Sequence, residues 1–168
     1  MGRSNVTETA VRVPRRGDVL LDFTAMTPGG QLARPRDFYM RRNLAVIFTH
    51  GPACLACRQL LSGLVARRAA VRAEAGEILA VIPGTRDGVA RLQDELGITY
   101  PIAVDEDGSV HRRYGLTGVD GSPVAGIFIA DRYGTIFESS TGGPDSGHPS
   151  IGAGDIPGWL EFIACRCS

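Results

Sequence analysis

Leu44-Ala45-Val46-Ile47-Phe48 is an unbroken apolar run. Such a run reads as a strand buried on both faces of a sheet. Thr49 to Ala53 contains Gly51 and Pro52 and reads as a turn, after which Cys54-Leu55-Ala56-Cys57-Arg58 opens a helix. The chain must therefore place two thiols where a buried strand turns into a helix. A thiol in a helix's first turn faces unpaired backbone N–H groups and the positive end of the dipole, which favour the thiolate. The second sulfur, one helical turn on, can attack a mixed disulfide formed on the first and release the partner. On this reading Cys54 is the attacker and Cys57 the resolver. The same spacing also fits two cysteines that only pack, or half of a tetrahedral zinc site completed by Cys165 and Cys167. Zinc knuckles sit in tight turns between short hairpins, whereas here an apolar strand leads in and a long helical pattern leads out.

Composition narrows the chemistry. The 168 residues suit one domain with a core that needs no staples. The 18 basic residues balance 18 acidic ones, so no broad basic field for nucleic acid or anionic lipid is expected. All the basic residues are Arg. Without Lys the chain hosts neither a Schiff-base lysine nor a Walker A phosphate loop. Residues 1–16 read as a flexible polar tail without the apolar core of a secretory signal. No run approaches the roughly 18 apolar residues of a membrane span. These features predict a soluble, cytoplasmic protein, and in a reducing compartment a Cys-x-x-Cys is more often reactive than structural.

In chain order, Val19 to Thr24 predicts a short strand and Pro28-Gly29-Gly30 a turn. Cys57 to Ala75 has helical periodicity, with Leu61, Leu64, Val65 and Val71 near one face; Arg68 suits neither face. Glu77 to Ile82 reads as a second buried strand, stopped by Pro83-Gly84. A strand, helix, strand unit of this kind implies parallel pairing through a right-handed crossover. Thr85 is a candidate N-cap for a helix carrying Val89, Leu92 and Leu96 and ending at Gly97. Pro101 to Asp105 is a short strand, and Gly108 to Tyr114 at most two helical turns. Val124 to Ala130 and Thr135 to Glu138 form a hairpin. Residues 139–155, rich in Gly, Ser and Pro, read as a mobile loop, and Asp155 as the N-cap of a last helix carrying Trp159, Phe162 and Ile163.

The Asp22-Phe23 segment, the strand leading to Cys54-Leu55-Ala56-Cys57-Arg58, and Phe128-Ile129-Ala130-Asp131-Arg132-Tyr133-Gly134-Thr135-Ile136 together resemble thioredoxin-fold redoxins. More narrowly, they resemble the alkyl hydroperoxide reductase and thiol-specific antioxidant group. Leu96 to Ile102, Asp105-Glu106-Asp107-Gly108 and Tyr114-Gly115 are similar to the middle of those chains. The resemblance covers residues 17–138 and implies an α/β thioredoxin-like fold, a central mixed sheet flanked by helices on both faces. It implies a thiol-dependent oxidoreductase without metal or organic cofactor. Electrons would come from an external dithiol such as a thioredoxin or glutathione system.

The departures from that family bear on mechanism. Peroxidases of the group hold the peroxide with a Pro and a Thr or Ser ahead of the reactive cysteine. Those positions here are Ile47 and Gly51, and Thr49 lies two residues too early. The Arg that keeps the sulfur ionised, or the cis-proline of disulfide oxidoreductases, falls at Ala125. Pro123 lies two residues earlier, so a cis Ser122–Pro123 bond beside Cys54 is one expectation and a plain turn proline the other. The buried Asp of thioredoxins corresponds to Phe48. His50 can replace it, either as an imidazolium that lowers the thiol pKa or as a neutral proton acceptor, and Arg58 can add positive charge. His111 and His148 read as surface residues. Cys165 and Cys167 are candidate resolving or relay thiols, metal ligands, or idle tail cysteines. The favoured reading is thiol–disulfide exchange. A thiol peroxidase that passes through a Cys54 sulfenic acid comes next, and then a noncatalytic module in which all four cysteines clamp zinc.

Overall fold

A computed structural model describes residues 11–142 and 147–166. Seven strands form one mixed sheet: β1 (Ala25–Met26), β2 (Leu32–Ala33), β3 (Asn43–Phe48), β4 (Gly76–Pro83), β5 (Ile102–Asp105), β6 (Gly126–Ala130) and β7 (Ile136–Thr141). Their order across the sheet is β2-β1-β5-β4-β3-β6-β7. The helices are α1 (Leu55–Ala73), α2 (Arg86–Leu96), α3 (Ser109–Arg113) and α4 (Ile156–Arg166).

The apolar run becomes β3, which has neighbours on both sides, as a strand with no polar face requires. It pairs parallel with β4, from Asn43 against Gly76 to Phe48 against Val81, and antiparallel with β6. Its side chains alternate between two cores. Ala45 and Ile47 face a layer that includes Leu61 and Leu64 of α1, Leu92 of α2 and Leu160 of α4. Leu44, Val46 and Phe48 face Leu20, Phe23, Tyr114 and Phe128 on the other side, where α3 and the N-terminal segment lie. This is the thioredoxin-like architecture expected, with helices on both faces.

Local signals work where the sequence places them. The Thr85 hydroxyl accepts the Gly88 N–H at 3.1 Å at the start of α2, and Gly97 ends that helix in the left-handed region at φ 64°. Arg68, which suits neither face of an amphipathic helix, has a structural partner. Glu77 is 4% exposed at the start of β4, and its carboxylate is met by Arg68 at 3.1 Å and Arg72 at 2.8 Å. A charge that deep is retained only when it is paired.

Three expectations are corrected. Val19 to Thr24 is not a strand. Only Val19 bridges Thr135, and the carbonyls of Leu21 and Asp22 are taken by the Tyr114 hydroxyl and the Arg113 guanidinium. With side chains occupying those groups, ladder pairing starts later, in the β1–β2 hairpin around Pro28-Gly29-Gly30. Residues 11–16 are tied down: Pro14 is buried, Val13 packs on the second core, and Arg12 pairs with Asp18. Residues 1–10 of the expected tail lie outside the described residues. Ser139 to Thr141 belong to β7 rather than to a mobile loop, pairing with Phe128, Ile127 and Gly126. Backbone groups make that ladder, and an edge strand tolerates the polar side chains that suggested a loop. Asp155 turns its carboxylate back to the Gly152 N–H at 2.8 Å, within a 3-10 turn at Ala153–Asp155 that leads into α4.

Candidate active site

Past Phe48 the chain leaves the sheet and reverses at Gly51, whose φ of 140° disfavours side chains. The reversal folds His50 back over the start of α1. Cys54 is the N-cap of α1, and its sulfur accepts the Cys57 N–H at 3.4 Å. Cys57, one turn on, is 2% exposed, and its sulfur accepts the His50 backbone N–H at 3.3 Å. The His50 ring brings one nitrogen to both sulfurs, with Nδ1 3.6 Å from Cys54 Sγ and 3.4 Å from Cys57 Sγ.

The electrostatics assign unequal roles. Burial pushes the Cys57 thiol up to about 12; the neighbouring Cys54 adds to the rise, and the His50 and Gly51 amides only partly offset it. Cys57 therefore keeps its proton until a base takes it. His50 is held below the ordinary imidazole range by burial first, then by His148 and His111, which favours a neutral ring. Of the two roles open to His50, proton acceptor fits this environment. Arg58 is turned elsewhere: its guanidinium donates to the Pro52 carbonyl at 3.1 Å and pairs with Glu95 of α2. It ties the turn and α1 to α2.

Two histidines read as surface residues are part of this region. His148, on the segment between β7 and α4, is half-buried and meets the His50 ring edge-to-face at a centroid distance of 4.9 Å. His111 is fully buried. Its Nδ1 lies 2.7 Å from Asp105 Oδ2 and its Nε2 lies 2.9 Å from the Thr49 carbonyl. The ring thus spans two acceptors, one on β5 and one just past β3. The pair anchors the end of β3 one residue before His50. A weak signal existed: His111 precedes the apolar Tyr114 by three residues, the spacing of one helix face. Nothing in the sequence marks His148.

Other positions behave differently. The Thr49 hydroxyl is buried and donates to the Val81 carbonyl at 3.4 Å, so it is committed to the sheet. Phe48, the position that the resemblance matches to a buried Asp, packs against the rings of His111, Tyr114 and Phe128. Ala125 is buried and lines, with Cys57, Leu60, Gly63 and Ile151, a cavity of about 370 Å³ between α1 and the segment before α4. The expected cis bond at Pro123 is corrected: no peptide bond among the described residues is cis, and Pro123 instead bridges Thr117. That pairing gives it the role of a loop proline ahead of β6. Cys165 is exposed near the end of α4, outside the cluster at His50, and Cys167 lies outside the described residues.

Residues 16–139 match the model of the AhpC/TSA family. No curated protein matches the chain's sequence. Among solved structures, the fold is similar to peroxidoxin BcpB from Mycobacterium tuberculosis, with a TM-score of 0.76 at 13% identity over 92% of this chain and 98% of that one. It is also similar to AhpC from Enterococcus faecalis, with a TM-score of 0.73 at 20% identity over 93% and 98% of the two chains. A putative thiol:disulfide interchange protein DsbE from Chlorobium tepidum matches with a TM-score of 0.64 at 20% identity over 76% of this chain and 84% of that one.

Proposed function

This chain belongs to the AhpC/TSA family and is a thiol-dependent oxidoreductase, and we propose that it works by thiol–disulfide exchange, with Cys54 attacking and Cys57 resolving. One observation carries the reading: His50 Nδ1 lies within 3.6 Å of both sulfurs, so one proton acceptor serves both halves of the reaction. The Cys54 thiolate attacks one sulfur of a substrate disulfide, and the other leaves as a thiolate that takes up a proton. Cys57 then loses its proton to His50 and attacks Cys54 Sγ. The Cys54–Cys57 bond forms, the mixed disulfide breaks, and the second substrate thiolate departs. The substrate gains two electrons and the protein's dithiol loses them. An external dithiol of the thioredoxin class, or two equivalents of a glutathione-class thiol, returns the site to its starting state, and such a supply favours a cytoplasmic setting.

Peroxide reduction is the second reading, and family membership favours it. In that reaction Cys54 attacks the peroxide, the O–O bond breaks to leave a sulfenic acid on Cys54 and to release water or an alcohol, and Cys57 or a tail cysteine condenses with the sulfenic acid to form a disulfide and release water. Two features of this site weigh against it. The Thr49 hydroxyl is spent on Val81, and Ala125 stands where an arginine would hold the sulfur ionised.

Stopped-flow reaction of the fully reduced protein with a model disulfide and, separately, with hydrogen peroxide distinguishes them. The expected result is rapid disulfide reduction and a peroxide rate well below about 10⁴ M⁻¹s⁻¹, with both lost in Cys54→Ser. A peroxide rate at or above that value would make the peroxidase reading the correct one. His50→Ala is expected to slow disulfide reduction by about 100-fold, the scale of a lost general base, without changing the far-UV circular dichroism.

A further inference from the structure

His148 takes no proton-transfer step in the exchange reaction, yet it completes a set of four donors. One ligating atom from each of His50, Cys54, Cys57 and His148 lies within 4.8 Å of the other three. Among the described residues this is the one group of three or more His, Cys, Asp or Glu side chains so arranged. We infer that these four residues form a Cys₂His₂ site that binds one zinc ion in the reduced protein.

The geometry fits that ion. Zn–S bonds of about 2.3 Å and Zn–N bonds of about 2.0–2.1 Å in a tetrahedron put ligand atoms about 3.3–3.8 Å apart. The two His50 Nδ1–sulfur distances, 3.6 and 3.4 Å, already lie in that range. The remaining separations are at most 4.8 Å, so closure onto an ion needs shifts of no more than about 1.5 Å. Two thiolates with two imidazoles in a tetrahedron is a donor set that selects zinc over the hard cations. The ligands also come from separate elements: the turn after β3, the first turn of α1, and the segment between β7 and α4. A bound ion would pin that segment across the sulfurs and beside the cavity at Cys57.

This site differs from the four-cysteine clamp that is the third reading of the sequence. Cys54 and Cys57 stay as ligands, but the other two are histidines, one of them far along the chain, and Cys165 is not in the cluster. It also makes zinc and disulfide mutually exclusive. When an oxidising disulfide converts the two thiolates to a Cys54–Cys57 bond, two electrons pass to the oxidant, which leaves as two thiolates, and the ion is released unchanged as Zn²⁺.

The test uses the full chain reduced with a non-thiol phosphine and titrated with Co²⁺ and Zn²⁺. One equivalent of Co²⁺ should produce thiolate-to-metal charge transfer and the intense visible bands of a tetrahedral centre, and one equivalent of Zn²⁺ should abolish them. His148→Ala should weaken zinc at least about 10-fold in competition with a chromophoric chelator, while Cys165→Ser/Cys167→Ser should bind as wild type does. Oxidised wild-type protein should give no tetrahedral spectrum, a control that needs no substitution. No binding by the reduced protein, undiminished binding by His148→Ala, or loss of binding in the tail-cysteine double variant would each overturn the site. None of these results depends on disulfide turnover, so the zinc site and the exchange reading can fail separately.

Discussion

Cys57→Ser is expected to stop exchange halfway. The Cys54 mixed disulfide with the substrate should accumulate, visible as intact protein carrying the mass of one substrate half. Multiple-turnover disulfide reduction should fall by about 1,000-fold or more, about 4 kcal/mol of barrier. Position 57 accepts the change, because the buried hydroxyl inherits the donor at the His50 backbone N–H and the acceptor at His50 Nδ1. Cys54→Ser should form no adduct at all. The tail cysteines supply the contrast: if the resolver is Cys57, Cys165→Ser and Cys167→Ser turn over at the wild-type rate. Adduct-free turnover in Cys57→Ser would transfer the resolving role to the tail.

His111→Ala should cost about 3–5 kcal/mol of stability in urea unfolding, the scale of breaking a buried ion pair by removing one partner. The substitution leaves the Asp105 carboxylate without its ring partner in a site that is 2% exposed. It also frees the Thr49 carbonyl, which should loosen the turn that aims His50 at the sulfurs and slow exchange. His111→Gln, which keeps a donor towards Asp105, should lose less. The same pair predicts an acid limit. Burial by itself would raise the Asp105 pKa, but the His111 ring and the His111 and Val110 amides outweigh it and hold the carboxyl below its ordinary value. A group whose folded pKa is depressed stabilises the protein above the unfolded value, about 3.9, and loses that contribution as pH falls through the folded value. Wild-type stability should therefore drop steeply below about pH 4. In Asp105→Asn, already less stable at neutral pH, part of that slope should be missing. An unchanged acid slope in that variant would remove Asp105 from the account.

Much of this was legible in the residues. A five-residue apolar run can only be buried on both faces, so Leu44 to Phe48 marks the middle of a sheet. The helix that follows dictates a parallel partner, and the Cys-x-x-Cys at their junction puts thiol chemistry at a helix start. Caps and stops such as Thr85 and Gly97 are local and act through a few adjacent backbone groups. The polar strand end at Ser139 to Thr141 was not legible, because ladder hydrogen bonds belong to the backbone and an edge strand imposes no side-chain pattern. The extended Val19 to Thr24 segment misled for the opposite reason: it has strand-like composition, but distant side chains take its carbonyls.

By itself, the sequence determined the sheet's centre, the crossover, the placement of two thiols at the start of a helix, and the exclusion of lysine-dependent chemistry. These follow from periodicity and spacing within about twenty residues, the range over which backbone geometry alone decides which side chains share a face. Only the tertiary structure decided which histidines matter. His111 is 62 residues from the Thr49 carbonyl it bonds, and His148 reaches the His50 ring from the stretch between β7 and α4, about a hundred residues along the chain. An imidazole is at home in solvent, in a buried ion pair or beside a thiolate, and its position in the chain does not distinguish these. Which one it meets depends on contacts between segments that only the packed sheet and helices bring together.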